Sequence, residues 1–429
     1  MEEEKVMLDP TQGCQLIGAF RAFHGIKDAY IVVHSPPDCH SGLLLLKSLQ
    51  NNSDLRLAFT GIHPRDLVYG AEEKAMRTIK EVYERFHPPL IALLDACAPA
   101  IAGDDLDAAV FRLSEESAEK AKIIYFRSAG FHRNMWLGYE NALTSLIECM
   151  KEAKDKREES VKGKNTVNII GFKDDEYRSE ADISEIERML KGIGVRGVAV
   201  FTSASFRDIL LSSEASLNVV LGGDGIKLAR AMEKEFGIPY VVVDYPYGVS
   251  ATEEFLYNIC EHIHCERGVE KFINKERSHV RKAVEKAQFY LQGLHGISCA
   301  VVGDAARATA LAKFLSTELG FNVSVLAFTS ANFMLNECEL QQEGVAECVL
   351  IEPDRFEMSE RIENAGVQMI FGSTFEKKLA NVLNVPLIRF SYPVIDNISL
   401  TNTPLCGFRG VNTWIENIVN AVVSRYYEV

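Results

Sequence analysis

Short apolar runs alternate with amphipathic stretches along almost the whole of this 429-residue chain. Strand-like runs are read at 29–34, 90–96, 122–126, 167–172, 197–202, 217–221, 240–244, 298–302, 322–328, 348–351, 368–371 and 387–390. Between them apolar positions recur every three or four residues, as in 71–87, where Met76, Ile79, Tyr83 and Phe86 share one helical face. Strands alternating with helices predict an α/β fold of mainly parallel sheets with right-handed crossovers. The pattern is read as three Rossmann-like, doubly wound units.

Two interruptions divide the pattern. Residues 151–164 (KEAKDKREESVKGK) form a charged run without apolar periodicity, read as a helix end plus linker. Residues 270–294 are long, charged and helical, and a fresh strand–turn–helix unit (ISCAVVGDAARATALAKFL) follows. The expected units are therefore 1–160, 161–290 and 291–429. The last two carry a weak repeat: PYVVVDYP at 239–246 parallels PLIRFSYP at 386–393, each following a strand that ends in glycine. Their Tyr-Pro turns are expected in equivalent loops.

The length calls for more than one domain, and 47% hydrophobic with 25% charged residues is ordinary for well-buried cores. A formal charge of −14 argues against nucleic acid or an anionic membrane as partner, because both want a basic face. No apolar stretch is long enough to span a bilayer. The acidic start MEEEKVML lacks the features of a secretory signal, so a cytoplasmic protein with free thiols is expected from its ten cysteines.

Three of those cysteines fall where an α/β fold places ligands, near the carboxyl ends of strands. Cys14 opens an apolar helical stretch, Cys39 lies in the turn HSPPDC after the 29–34 run, and Cys97 follows the 90–96 run ahead of Pro99. Each alone reads as a small buried hydrophobe. Together, at turns beside Gly, Pro or Asp and without a CxxC pair, they suit an iron–sulfur cluster better than structural zinc. Three thiolates leave a cubane one ligand short, which a carboxylate such as Asp38, a non-protein ligand or another chain would supply.

The segments GCQLIGAFRAFHGIKDAYIVVHSPPDC and VYGAEEKAMRTIKEVYERFHPPLIALLDACAPAIAGDDLDAAV resemble the nitrogenase component 1 family. That family shows a cysteine before its first strand, then His-Gly-Pro-x-Gly-Cys, a Gly-Glu-Glu helix, and a strand ending in Cys before a Gly-Asp-Asp turn. FGIPYVVVDYPYGVSATEEFLYNI and GFRGVNTWIENI resemble later segments, so the likeness covers nearly the whole chain. The family includes nitrogenase, the dark-operative protochlorophyllide and chlorophyllide reductases, the nickel-sirohydrochlorin reductive cyclase, the cofactor-assembly scaffold and methylthio-alkane reductase.

The resemblance implies that Cys14, Cys39 and Cys97 bind an inter-subunit iron–sulfur cluster, of eight-iron P-cluster-like or 4Fe–4S type. Their intervals of 25 and 58 residues resemble the β-type subunit. No cysteine lies between Cys149 and Cys260, so the metallocofactor ligand of the α-type is absent. Two partners are implied: a homologous α-like subunit, in a heterodimer or heterotetramer, and a transient ATP-hydrolysing iron–sulfur reductase. The alternatives are a tetrapyrrole reductase subunit, of protochlorophyllide or nickel-sirohydrochlorin type, and a non-catalytic metallocluster scaffold. A cluster-free binding protein using the cleft between units two and three is a further one.

HSPPDC departs from the family in lacking both glycines, and Asp38 and Asp95 put carboxylates beside the expected ligands. The long N-terminal extension of nitrogenase β subunits is not seen, which points away from dinitrogen reduction. The loop 128–138 (SAGFHRNMWLG) is expected near the cluster. Cys260-Glu-His-Ile-His-Cys265 reads as a helix end with solvated histidines, and the turns at Gly222–Gly225 and Gly303-Asp304 as possible anion cradles. GxxxxGK[ST], GxSxG and HExxH motifs are absent.

Overall fold

Continuous apolar runs make strands buried on both faces, and here they build three fully parallel sheets. The computed structural model describes residues 13–49, 55–117, 121–131, 134–156, 165–195, 197–263, 265–332 and 344–426. The first sheet holds β1 (Ala29–His34), β2 (Leu57–Phe59), β3 (Leu90–Asp95) and β4 (Lys122–Phe126) in the order β2-β1-β3-β4. β5 (Thr166–Ile170), β6 (Gly197–Val200), β7 (Leu217–Leu221) and β8 (Tyr240–Val243) repeat that plan as β6-β5-β7-β8. The third sheet adds a strand: β9 (Ser298–Asp304), β10 (Asn322–Ser330), β11 (Cys348–Ile351), β12 (Met369–Gly372) and β13 (Leu387–Arg389) run β11-β10-β9-β12-β13. Helices flank these strands, giving a mixed α/β molecule of Rossmann-like units.

The two Tyr-Pro segments occupy matching places. β8 is the edge strand beside β7, and β13 is the edge strand beside β12. The Tyr392–Pro393 bond is cis. β2 escaped the sequence reading because three half-buried residues carry no periodicity.

The sheets do not stand apart. One apolar core runs from Val167 through Phe255 and Leu311 to Trp414, joining the second and third sheets. The last helix, Gly407–Tyr426, packs against helices Gly248–Ile263, Glu266–Gln292 and Ser179–Gly192, which belong to the second sheet's surroundings. Trp414 is fully buried there and donates its indole N–H to the Leu405 carbonyl at 3.0 Å. A second core joins helices Gln15–His24 and Met135–Asp155 to the back of the second sheet.

Those two helices cross backbone to backbone. A Cβ on Gly18 would lie 1.8 Å from the Met135 carbonyl oxygen, and one on Gly138 2.2 Å from that of Gln15. Only glycine permits the approach, and the crossing sets where Cys14 sits.

Candidate metal centre

The carboxyl ends of β1, β3 and β4 turn toward one corner of the first sheet, and the three cysteines stand around it. Cys14 is the residue before helix Gln15–His24 and forms an isolated antiparallel bridge with Asn134. Cys39 is the third residue of helix Pro37–Leu49, and Cys97 is the first of helix Cys97–Ala102. The sequence had placed the latter two in turns. Pro at or near the first helical position suits an early start in both, because that N–H is unpaired anyway.

Gly130, in the loop after β4, links two of the sulfurs. Its N–H donates to Cys97 Sγ at 3.2 Å, and a Cβ there would lie 3.1 Å from Cys14 Sγ and 3.4 Å from Cys97 Sγ. Cys14 and Cys97 are half-buried, and Cys39 is exposed. Burial pushes the Cys14 thiol up, against the N–H groups of Ile17 and Leu16, which favour its thiolate. Burial also raises Cys39, and its neighbours Cys97, Cys14 and Asp38 add to the rise. Cys97 thus lies close enough to discourage the ionisation of Cys14 and Cys39, and cationic metal would reverse that.

Among the described residues, no three His, Cys, Asp or Glu side chains converge tightly enough to grip a single ion. A cluster makes a different demand, because each iron takes its own thiolate and the ligands stand apart. Soft sulfur donors and the side-chain-free face at Gly130 fit a polynuclear group.

Asp95 has a structural task besides the one its position suggested. It is buried at the end of β3 and accepts hydrogen bonds from Tyr125 Oη at 3.1 Å and from the Ser128 N–H. Ser128 Oγ returns a bond to the Asp95 carbonyl at 2.8 Å. The carboxylate therefore pins the loop that carries Gly130. His34, at the end of β1, meets Asp104 Oδ2 through Nε2 at 2.9 Å, and burial lowers its pKa, keeping it neutral. Asp38 is exposed beside Cys39. Gly130 and Ser128 lay within the loop expected near the centre, but nothing in the sequence singled them out.

The rim is apolar. Helices Pro64–Tyr69 and Cys97–Ala102 pack together and leave Val68, Tyr69 and Ile101 exposed, and Phe131 is exposed next to Gly130.

Other motifs resolve differently. Cys260 and Cys265 are disulfide-bonded, so the expectation of free thiols fails for this pair. They sit at the corner between two helices, where five residues of separation bring the side chains together; His264 lies outside the described residues. The Gly222–Gly225 cradle is filled by the protein itself, because Glu140 accepts the N–H groups of Gly225 and Lys227 at the start of helix Ile226–Phe236. Asp304 likewise caps helix Ala305–Thr317 through the Arg307 N–H at 3.1 Å. No helix among the described residues is long and apolar enough to cross a membrane.

Comparison with known proteins gives a consistent result. The chain is 25% identical to the nitrogenase molybdenum-iron protein beta chain of Methanococcus maripaludis, over all of this chain and 96% of that one. It is 27% identical to a subunit of the light-independent protochlorophyllide reductase of Nostoc punctiforme, covering 94% of this chain and 81% of the relative. It is 28% identical to the nitrogenase iron-molybdenum cofactor biosynthesis protein NifE of Clostridium pasteurianum, covering 87% and 80%. The fold superposes on the solved structure titled nitrogenase Cp1 at pH 6.5 with a TM-score of 0.84 at 23% identity, over 99% of this chain and 95% of that chain. Residues 14–423 match the family described as nitrogenase component 1 type oxidoreductase, and the chain belongs to that family.

Proposed function

We propose that this chain is the β-like subunit of a cytoplasmic, nitrogenase-like two-component reductase, with Cys14, Cys39 and Cys97 as its share of the ligands to an inter-subunit iron–sulfur cluster. The observation that carries the reading is the approach of the Cys14 and Cys97 sulfurs to the same face of Gly130. When bound, such a cluster takes up and passes on single electrons at low potential. The chain's own residues hold it and shape its surroundings. Gly130 contributes an N–H to the Cys97 sulfur and no side chain, so the group can approach closely. Val68, Tyr69, Ile101 and Phe131 form an apolar rim suited to a homologous α-like partner that closes the site against water.

In this reading residues 1–160 form the cluster-binding unit, with 161–290 and 291–429 behind it. Electrons arrive from a separate ATP-hydrolysing iron–sulfur reductase, and the substrate or metallocofactor belongs to the partner side. The test is co-expression with the partner chain and purification without oxygen, followed by iron and sulfide determination. Several irons and sulfides per heterodimer are expected, and a colourless, iron-poor complex would end the proposal. A bound tetrapyrrole in place of a second metal centre would select the tetrapyrrole reductase. A loaded complex that never turns over with reductase and ATP would select the assembly scaffold; the NifE relative is named for cofactor biosynthesis.

A further inference from the structure

The cysteine corner is tied to the rest of the molecule through one buried guanidinium. Arg21 stands seven residues after Cys14, about two helical turns along and on the same face of helix Gln15–His24. Its Nε and Nη2 donate to Asp175 at 2.8 and 2.7 Å, and Nη2 also reaches Glu176 at 2.8 Å. Nη1 lies 3.7 Å from Met135 Sδ, and the guanidinium carbon is 4.1 Å from the centre of the Tyr392 ring. Met135 in turn backs onto Gly13, the residue before Cys14, where a Cβ would come 3.0 Å from its sulfur.

The chain of contacts continues beyond Arg21. Glu176 also accepts from Arg307 Nη1, and Arg307 Nε donates to Tyr247 Oη at 2.7 Å. Glu176 thus sits between two guanidiniums, one following the first cysteine and one on the helix after β9. Buried ion groups of this kind contribute little net stability, because desolvation offsets the attraction. Their strength is directional: a two-pronged guanidinium–carboxylate contact fixes angle as well as distance.

We infer that Arg21 is a positioning residue for the cysteine site, locking helix Gln15–His24 against Asp175 and Glu176 so that the Cys14 sulfur is held against Gly130. The inference rests on the reading of the cysteines as cluster ligands. Burial and hydrogen bonding around the sulfurs are among the features that set a cluster's potential, so the lock reaches the redox properties without touching the metal.

Arg21→Lys keeps the charge and removes the fork, which separates positioning from simple electrostatics. In the oxygen-free complex, shifted EPR g-values and a shifted midpoint potential are expected at unchanged iron content. In the metal-free full chain, first-turn amides of helix Gln15–His24 are expected to exchange about tenfold faster, with the other helices unaffected. Asp175→Asn leaves the Glu176 contact in place and should produce the same selective changes to a smaller extent, which covers the case of a poorly folded Arg21→Lys. Wild-type spectra and wild-type exchange in both variants would overturn the inference, as would exchange that rises equally in every helix. An iron-free wild-type complex would instead defeat the proposed function, and the exchange measurement would then decide the positioning role alone.

Discussion

The backbone N–H of Gly130 donates to the sulfur of Cys97 at 3.2 Å, across 33 residues of sequence. The same glycine leaves no Cβ between that sulfur and the one of Cys14. Gly130→Ala should therefore disturb the site while sparing the sheets. A methyl group in a filled space costs on the order of 1–3 kcal/mol, so iron retention should fall by about tenfold or more with the far-UV circular dichroism unchanged. Full iron occupancy in the variant would show that no group sits at that face.

Cys14→Ala and Cys97→Ala are expected to lose most of the iron from the co-purified complex. Cys299→Ala is the matched control, because this thiol is buried within β9 and burial raises its pKa far from any reactive range. It should keep its iron and lose about 1 kcal/mol of stability. Equal iron in all three proteins would rule out the cysteine assignment.

Asp95→Asn preserves the shape that receives Ser128 and Tyr125 but removes a negative charge beside Cys97. The midpoint potential of the reduced–oxidised couple should move to a more positive value. A titration that shows a negative shift, or none, contradicts the assignment of the charge to the cluster's surroundings.

Glu140 gives a pH dependence with a defined sign. Burial first, and then Asp224, push its carboxyl from 4.5 up to about 7, against the N–H groups of Gly225 and Lys227. The folded state therefore holds a proton that the unfolded chain has released, so the contribution is complete below pH 4.5 and lost as pH rises to about 7. Glu140→Gln removes this dependence, with a difference of about 3 kcal/mol between its ends. Melting curves should show the variant gaining on the wild type between pH 5 and pH 8, and a constant gap would refute the shift.

The Cys260–Cys265 bond predicts a peptide spanning 260–265 that resists alkylation until a reductant is added. Mass spectrometry of unreduced, denatured protein should find it lighter by two hydrogens. Complete alkylation without reductant would refute it.

Much of the architecture was legible because parallel α/β units announce themselves as buried runs such as YIVV, LIALL and NVVL. The Tyr-Pro segments even betrayed the equivalent edges of the second and third sheets. What stayed hidden depends on contacts between distant residues. Nothing local distinguishes Gly18 and Gly138 from other helical glycines, yet their meeting fixes the position of Cys14. The Gly222–Gly225 turn looked like an anion cradle because its occupant, Glu140, lies some eighty residues earlier. Asp95 and the loop 128–138 were expected near the centre, but the bonds that tie Asp95 to Ser128 and Gly130 to Cys97 were not, because hydrogen-bond partners across 33 residues leave no periodic trace.

The return of helix Gly407–Tyr426 onto the helices around the second sheet has a consequence for biosynthesis. Helix Gly407–Tyr426 leaves the ribosome after every strand from β1 to β13, so the surface that receives Trp414 waits bare until that helix emerges. The first two sheets have their complete sets of strands well before then. A truncation near residue 400 would strand that apolar surface in water, giving an aggregating product rather than a shortened but working one.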